Sequence, residues 1–243
     1  MRRIASLDEL RGLLILFVVL YHLLYDISLF FPESVGKLWI LWPEYSILRA
    51  VFPGLFIFLC GISCHLSHNN LRRGLICAGF ATAITLLSLL VTPDYPIRFG
   101  ILHLLAVCIL LFIPLKRLTR GFPDWLAILL FIALFFFTWG LPYGMIGGNI
   151  ALPQQLWNRD GLFILGFPSD RIFSADYFPL MPWGFLFAAG SFAGRGLAEG
   201  RAPSFFYHSR SAGMAKIGRH TMLIYLLHQP VWFGVLTLLK VTR

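Results

Sequence analysis

Hydropathy divides the chain into apolar runs of span length at 12–31, 47–66, 73–92, 98–115, 124–139, 178–197 and 218–239, separated by polar connections. One crossing of a hydrocarbon layer takes about 20 apolar residues, so the pattern predicts an all-α, polytopic transmembrane helix bundle of about seven spans. Residues 1–243 read as a single domain. Most connections are short, such as HNNLRR, TPDYPIR and KRLTRGFP, which predicts close packing of antiparallel neighbours. The segment 140–177 is different. It is too long to be a plain connection and too apolar to be a solvated one, and it predicts a lid or re-entrant element. No internal repeat of 20–50 residues is evident, and such repeats are frequent in secondary transporters.

Composition narrows the class. Only 13% of the 243 residues are charged and 58% are hydrophobic, with a mean hydropathy of +0.77; an ordinary soluble domain carries roughly 25% charged residues. With 24 Phe, 7 Trp and 8 Tyr the chain is not disordered, and four Cys in this length do not make a disulfide scaffold. Cys60, Cys64, Cys77 and Cys108 lie in apolar runs, where Cys packs as a small hydrophobe, so neither a disulfide nor a metal site is expected. The first run begins after Asp8 and Glu9 without a small-residue cleavage site, so it is expected to stay as the first span.

The net charge of +9 raises the question of nucleic acid, but membrane topology accounts for it better. With a cytoplasmic amino terminus, thirteen Lys and Arg fall inside and seven outside, which leaves +9 on the inner face and 0 on the outer. That bias predicts amino terminus in and carboxyl terminus out, with 140–177 outside and no nucleic-acid partner.

Ionisable groups at a span centre cost on the order of 2.5–3.5 kcal/mol, so each needs a reason. His22 and Asp26 stand four residues apart and share a helix face. An Asp26 carboxylate accepting from one imidazole nitrogen would orient His22 as a base; the alternatives are helix capping or pairing with Arg49 or Arg98. At 1.5 Å per residue, His22 lies about 16 Å beyond Arg11 and His228 about 13 Å beyond Arg219, which puts the two histidines at similar depth. His103 lies about 7 Å below Arg98, in the outer third. An intramembrane His can equally serve as an interhelical hydrogen-bond partner. His65 and His68, at a loop end, are expected to be solvated. Pro53 and the run Phe178–Gly184 predict helix breaks on the outer side, the second forming a rim with Asp176, Tyr177 and Trp183 where an aromatic face suits a sugar ring; Trp183 could equally anchor at the interface.

The stretches ASLDELRGLLIL with YHLLYD, FLCGIS, FGILHL, DYFPLMPW and GRHTMLIYLLHQPV, spread from Ser6 to Val231, resemble the small bacterial membrane proteins related to heparan-alpha-glucosaminide N-acetyltransferase. The spacing of Arg11 and His22 is also similar to that in the first span of membrane acyltransferases that decorate surface polysaccharides. The resemblance implies acetyl-CoA as acyl donor on the cytoplasmic side and a saccharide or glycolipid acceptor on the other, in a bacterial inner membrane. A polyanionic CoA also fits the positive inner face. On this reading His22 is base or acyl carrier, oriented by Asp26 and His228. Arg11, Arg72, Arg73 and Arg219 face the CoA phosphates, and Arg98, His103, Asp176 and Trp183 face the acceptor. No metal is called for, and a homodimer is one admissible assembly. A proton-coupled permease using the same His and Asp groups, or a subunit stabilising a partner enzyme, are the competing classes.

Overall fold

The computed structural model describes residues 4–31, 43–201 and 203–241. Among these are nine α-helices: α1 (Ala5–Phe30), α2 (Pro43–Leu66), α3 (Asn70–Val91), α4 (Ile101–Leu118), α5 (Asp124–Phe137), α6 (Asp160–Phe163), α7 (Leu180–Ala198), α8 (Ala212–Arg219) and α9 (Thr221–Val241). Six stretches are long and apolar enough to cross a bilayer: Ala5–Phe30, Ile47–Leu66, Asn70–Val91, Ile101–Leu118, Asp124–Tyr143 and Thr221–Val241. Leu13, Leu20, Leu86, Leu90, Leu129 and Phe136 are exposed on their helices. Such residues find their solvent in lipid, where the helix satisfies its own backbone. The protein is an all-α polytopic membrane protein.

The seventh expected span is present as a helix, α7, but it is not one of the six. Pro182, Trp183, Gly184, Gly190, Gly194, Arg195 and Gly196 hold its hydropathy down. At the amino end α1 starts at Ala5, earlier than the apolar run, and takes in Asp8 and Arg11. Arg11 Nη1 donates to Asp8 Oδ1 at 2.9 Å, and that pairing lets both charges enter the helix.

Two compact units share the chain: Met1–Phe56 with Ala202–Arg243, and Ile57–Arg201. In the first, α1 packs against α8 and α9. Gly12 and Gly218 make the α1–α8 approach possible: a Cβ on Gly12 would strike the Met214 carbonyl, and one on Gly218 the Asp8 carbonyl. Glu9 Oε1 accepts from Ser209 Oγ, Arg210 N and Ser211 N at 2.7–2.9 Å, which fixes the turn that leads into α8. Ser211 then caps that helix by accepting from Met214 N.

In the second unit α3 packs on α4, and α7 on α5 and α4. The carboxyl-terminal part of α2 touches α7 backbone to backbone: Gly190 faces the Phe58 carbonyl, Gly194 the Ile62 carbonyl, and Gly61 the Phe187 carbonyl. This is the small-xxx-small contact favoured between helices in lipid, where hydrophobic exclusion gives no drive and close packing must.

The segment 140–177 is folded. It holds a two-residue hairpin, β1 (Met145–Ile146) with β2 (Ile150–Ala151), then the single turn α6. Leu180 N and Met181 N donate to Ile164 O and Leu165 O at 2.9 and 3.1 Å, so the segment supplies the acceptors for backbone groups at the irregular start of α7, where Met181 is non-helical. Pro53 breaks nothing; α2 runs through it.

Candidate active site

The first unit gathers His22, Asp26 and His228. His22 and Asp26 lie on α1, His228 on α9, and the two imidazole rings meet edge to face with centroids 4.8 Å apart. Asp26 and His228 are buried.

Backbone carbonyls set the protonation pattern. His22 Nδ1 lies 2.8 Å from Val18 O, and His228 Nδ1 lies 2.7 Å from Tyr225 O. A carbonyl can only accept, so in both rings Nδ1 carries the proton and Nε2 keeps its lone pair. His228 Nε2 is buried without a partner. Two bases of one tautomer therefore stand side by side.

Asp26 does not orient His22 as its spacing suggested. Its Oδ1 accepts from Gln229 Nε2 at 3.1 Å, across to α9, while its Oδ2 is buried and unpartnered. The physical reason is local: the Val18 carbonyl, one turn back on α1, already takes the His22 N–H. Nor does Asp26 pair with Arg49 or Arg98; Gln229 is its partner. Gln229 Oε1 and Trp232 Nε1 are also buried without partners. Sequence reasoning passed over both residues. The available signal was their position three and four residues from one another and from His228, on one face of the last span.

The remaining expected site residues are distributed elsewhere. Arg11 is half-buried and engaged with Asp8, and Arg219 is exposed at the end of α8. In the second unit Arg72 is exposed near the start of α3, where its N–H donates to the capping Asn69 Oδ1. Arg73 Nη1 donates to Ser63 O and Asn70 Oδ1 at 3.3 and 3.0 Å, tying α3 to the end of α2.

His103 and Asp176 come together around the start of α4. Gly100 N donates to His103 Nδ1 at 3.2 Å, so Nε2 carries the proton and donates to Thr85 Oγ1 at 3.1 Å. Thr85 Oγ1 in turn donates to Ile97 O at 2.7 Å. Asp176 Oδ2 accepts from Ile101 N at 3.1 Å, a side-chain cap from a distant segment. Both ring nitrogens of His103 are thus used in closing a helix end. Arg98 is exposed, and its backbone N–H donates to Ser174 Oγ.

Trp183 is buried among Phe135, Trp139 and Phe178, with centroids 5.1–5.6 Å away. Its faces are occupied by other rings and form no open platform. Tyr177 stacks on Phe163 at 4.3 Å and donates to the Phe163 carbonyl at 2.6 Å; burial pushes its phenol pKa up. His65, expected in solvent, is half-buried edge-on to Phe112 at 4.9 Å. Cys64 and Cys77 donate to the carbonyls of Cys60 and Leu102.

A polytopic helical membrane protein with two backbone-oriented imidazole bases beside a buried carboxylate is equipped for proton or group transfer within the bilayer. A family model described as heparan-alpha-glucosaminide N-acetyltransferase, catalytic, matches residues 3–230. The chain belongs to that family, and its class is that of a membrane acyltransferase. No curated protein and no solved structure matches the chain.

Proposed function

We propose that the protein moves an acetyl group from cytoplasmic acetyl-CoA to an amine or hydroxyl of an envelope saccharide on the outer side of a bacterial inner membrane. The reading is carried by the His22–His228 pair, whose tautomers leave both Nε2 lone pairs for chemistry. In direct transfer one Nε2 takes the proton as the acceptor's nitrogen or oxygen attacks the thioester carbon; the C–S bond breaks, and the CoA thiolate leaves and takes up a proton. In a relay, Nε2 itself attacks, releases CoA as thiol and hands the acetyl group on from an acyl-imidazole. Arg11, Arg72, Arg73 and Arg219 are the candidates for the CoA phosphates, by charge complementarity with the inner face.

The experiment is thioester turnover by the full chain in proteoliposomes with acetyl-CoA and amino-sugar acceptors. Acetyl transfer is expected, with a loss of about 10²–10⁴-fold in His22→Ala, the usual worth of a general base. Label retained on the protein with acetyl-CoA alone selects the relay. Absence of turnover together with substrate-dependent proton flux without CoA would replace this reading with a permease.

A further inference from the structure

The buried polar atoms that lack partners in the first unit are grouped on adjoining turns. Asp26 Oδ2 comes from α1; His228 Nε2, Gln229 Oε1 and Trp232 Nε1 come from α9. Gln229 Nε2 already bridges the two helices by donating to Asp26 Oδ1. His228 and Trp232 are four residues apart and lie on the same side of α9 as the buried Leu236.

Leaving such groups dry and unmatched costs about 1–3 kcal/mol each, so a stretch that collects four of them awaits something to match them. Their chemistry is lopsided. Asp26 Oδ2, Gln229 Oε1 and His228 Nε2, whose proton is on the other nitrogen, can only accept. Trp232 Nε1 can only donate. A ligand that completes the set brings hydrogen-bond donors to the carboxylate, amide and imidazole, and one oxygen to the indole.

We propose that Asp26, Gln229 and Trp232 form the subsite that reads the acyl acceptor, and that it takes a compound bearing a hydrogen-bond donor next to an oxygen, such as a vicinal amino alcohol or diol. Gln229 is a positioning residue: through Oδ1 it fixes the Asp26 carboxylate so that Oδ2 faces the donor. Trp232 is the specificity residue, because it alone recognises the neighbouring oxygen. The reacting donor group of the acceptor then lies against His228 Nε2, the base. This inference rests on the acyl-transfer reading for its name, acceptor, but not for the binding it describes.

The test uses the full chain in detergent with three probes: trans-2-aminocyclohexanol, cyclohexane-1,2-diol and cyclohexylamine. Equilibrium binding is expected to be about tenfold tighter for the amino alcohol than for cyclohexylamine, the worth of one matched hydrogen bond. Trp232→Phe, which keeps the ring and removes the N–H, should bring the two within twofold while leaving the acetyl-CoA KM unchanged. Gln229→Met should weaken all three probes. Equal binding of amino alcohol and amine by the wild-type protein overturns the proposal, and that comparison needs no variant to fold. So does a preference that survives Trp232→Phe. A preference without acetyl-CoA turnover sustains the subsite and removes the transfer reading; turnover without a preference does the reverse.

Discussion

At the scale of the residue, three histidines show how the same side chain is given different work by what touches its two nitrogens. His22 and His228 spend Nδ1 on a main-chain carbonyl and keep Nε2. His103 spends both, accepting from Gly100 N and donating to Thr85. His103→Ala should therefore lower stability by about 1 kcal/mol, as for other lost helix-end contacts, and leave acetyl turnover within twofold. Asp176→Ala should do the same, since its carboxylate caps the same helix. Thermal unfolding in detergent alongside turnover checks both; a hundredfold activity loss in His103→Ala with an unchanged melting temperature would restore it to the reaction.

At the scale of the element, the decisive contacts are between backbones. Gly190 and Gly194 bring α7 against α2 so closely that no side chain fits between them. Gly194→Leu should cost at least the 1–3 kcal/mol usual for overpacking, read as a lowered melting temperature. Gly79→Leu, where a Cβ would meet nothing within 4 Å, should not. Much at this scale was legible beforehand. Runs of apolar residues located all the long helices, including α7, whose glycines and prolines depressed its hydropathy without stopping the helix. Depth counted from Arg11 and Arg219 put His22 and His228 level with each other. The partner of Asp26 was not legible, because periodicity along α1 pointed to His22 while the actual neighbour, Gln229, is 203 positions away. His103 and Trp183 were misread for the same reason. A polar or aromatic residue in an apolar run announces that it needs partners, and only the packing tells whether these are a ligand or, as here, Thr85 and a cluster of rings.

At the scale of the whole molecule, the exposed apolar girdle and the uneven charge belong together. The six apolar helices fix the protein in lipid, and the excess Lys and Arg orient it. Arg120, exposed beyond α4, and Asp170, exposed in the segment before α7, lie at opposite ends of α5 in the chain path. A cysteine at position 170 should react with a membrane-impermeant maleimide added to intact cells, and a cysteine at position 120 only after permeabilisation. The reverse pattern would invert the topology and move the CoA-facing arginines to the wrong side.

Main-chain carbonyls hold the two imidazole protons, and no substitution of a neighbouring side chain can delete a carbonyl. The reagent is consequently insulated from changes in its surroundings. Asp26, Gln229 and Trp232 can be exchanged over evolutionary time, and with them the molecule that is modified, while the two lone pairs stay where they are. Diversification in such a scaffold would be written in the lining residues and leave the histidine pair untouched.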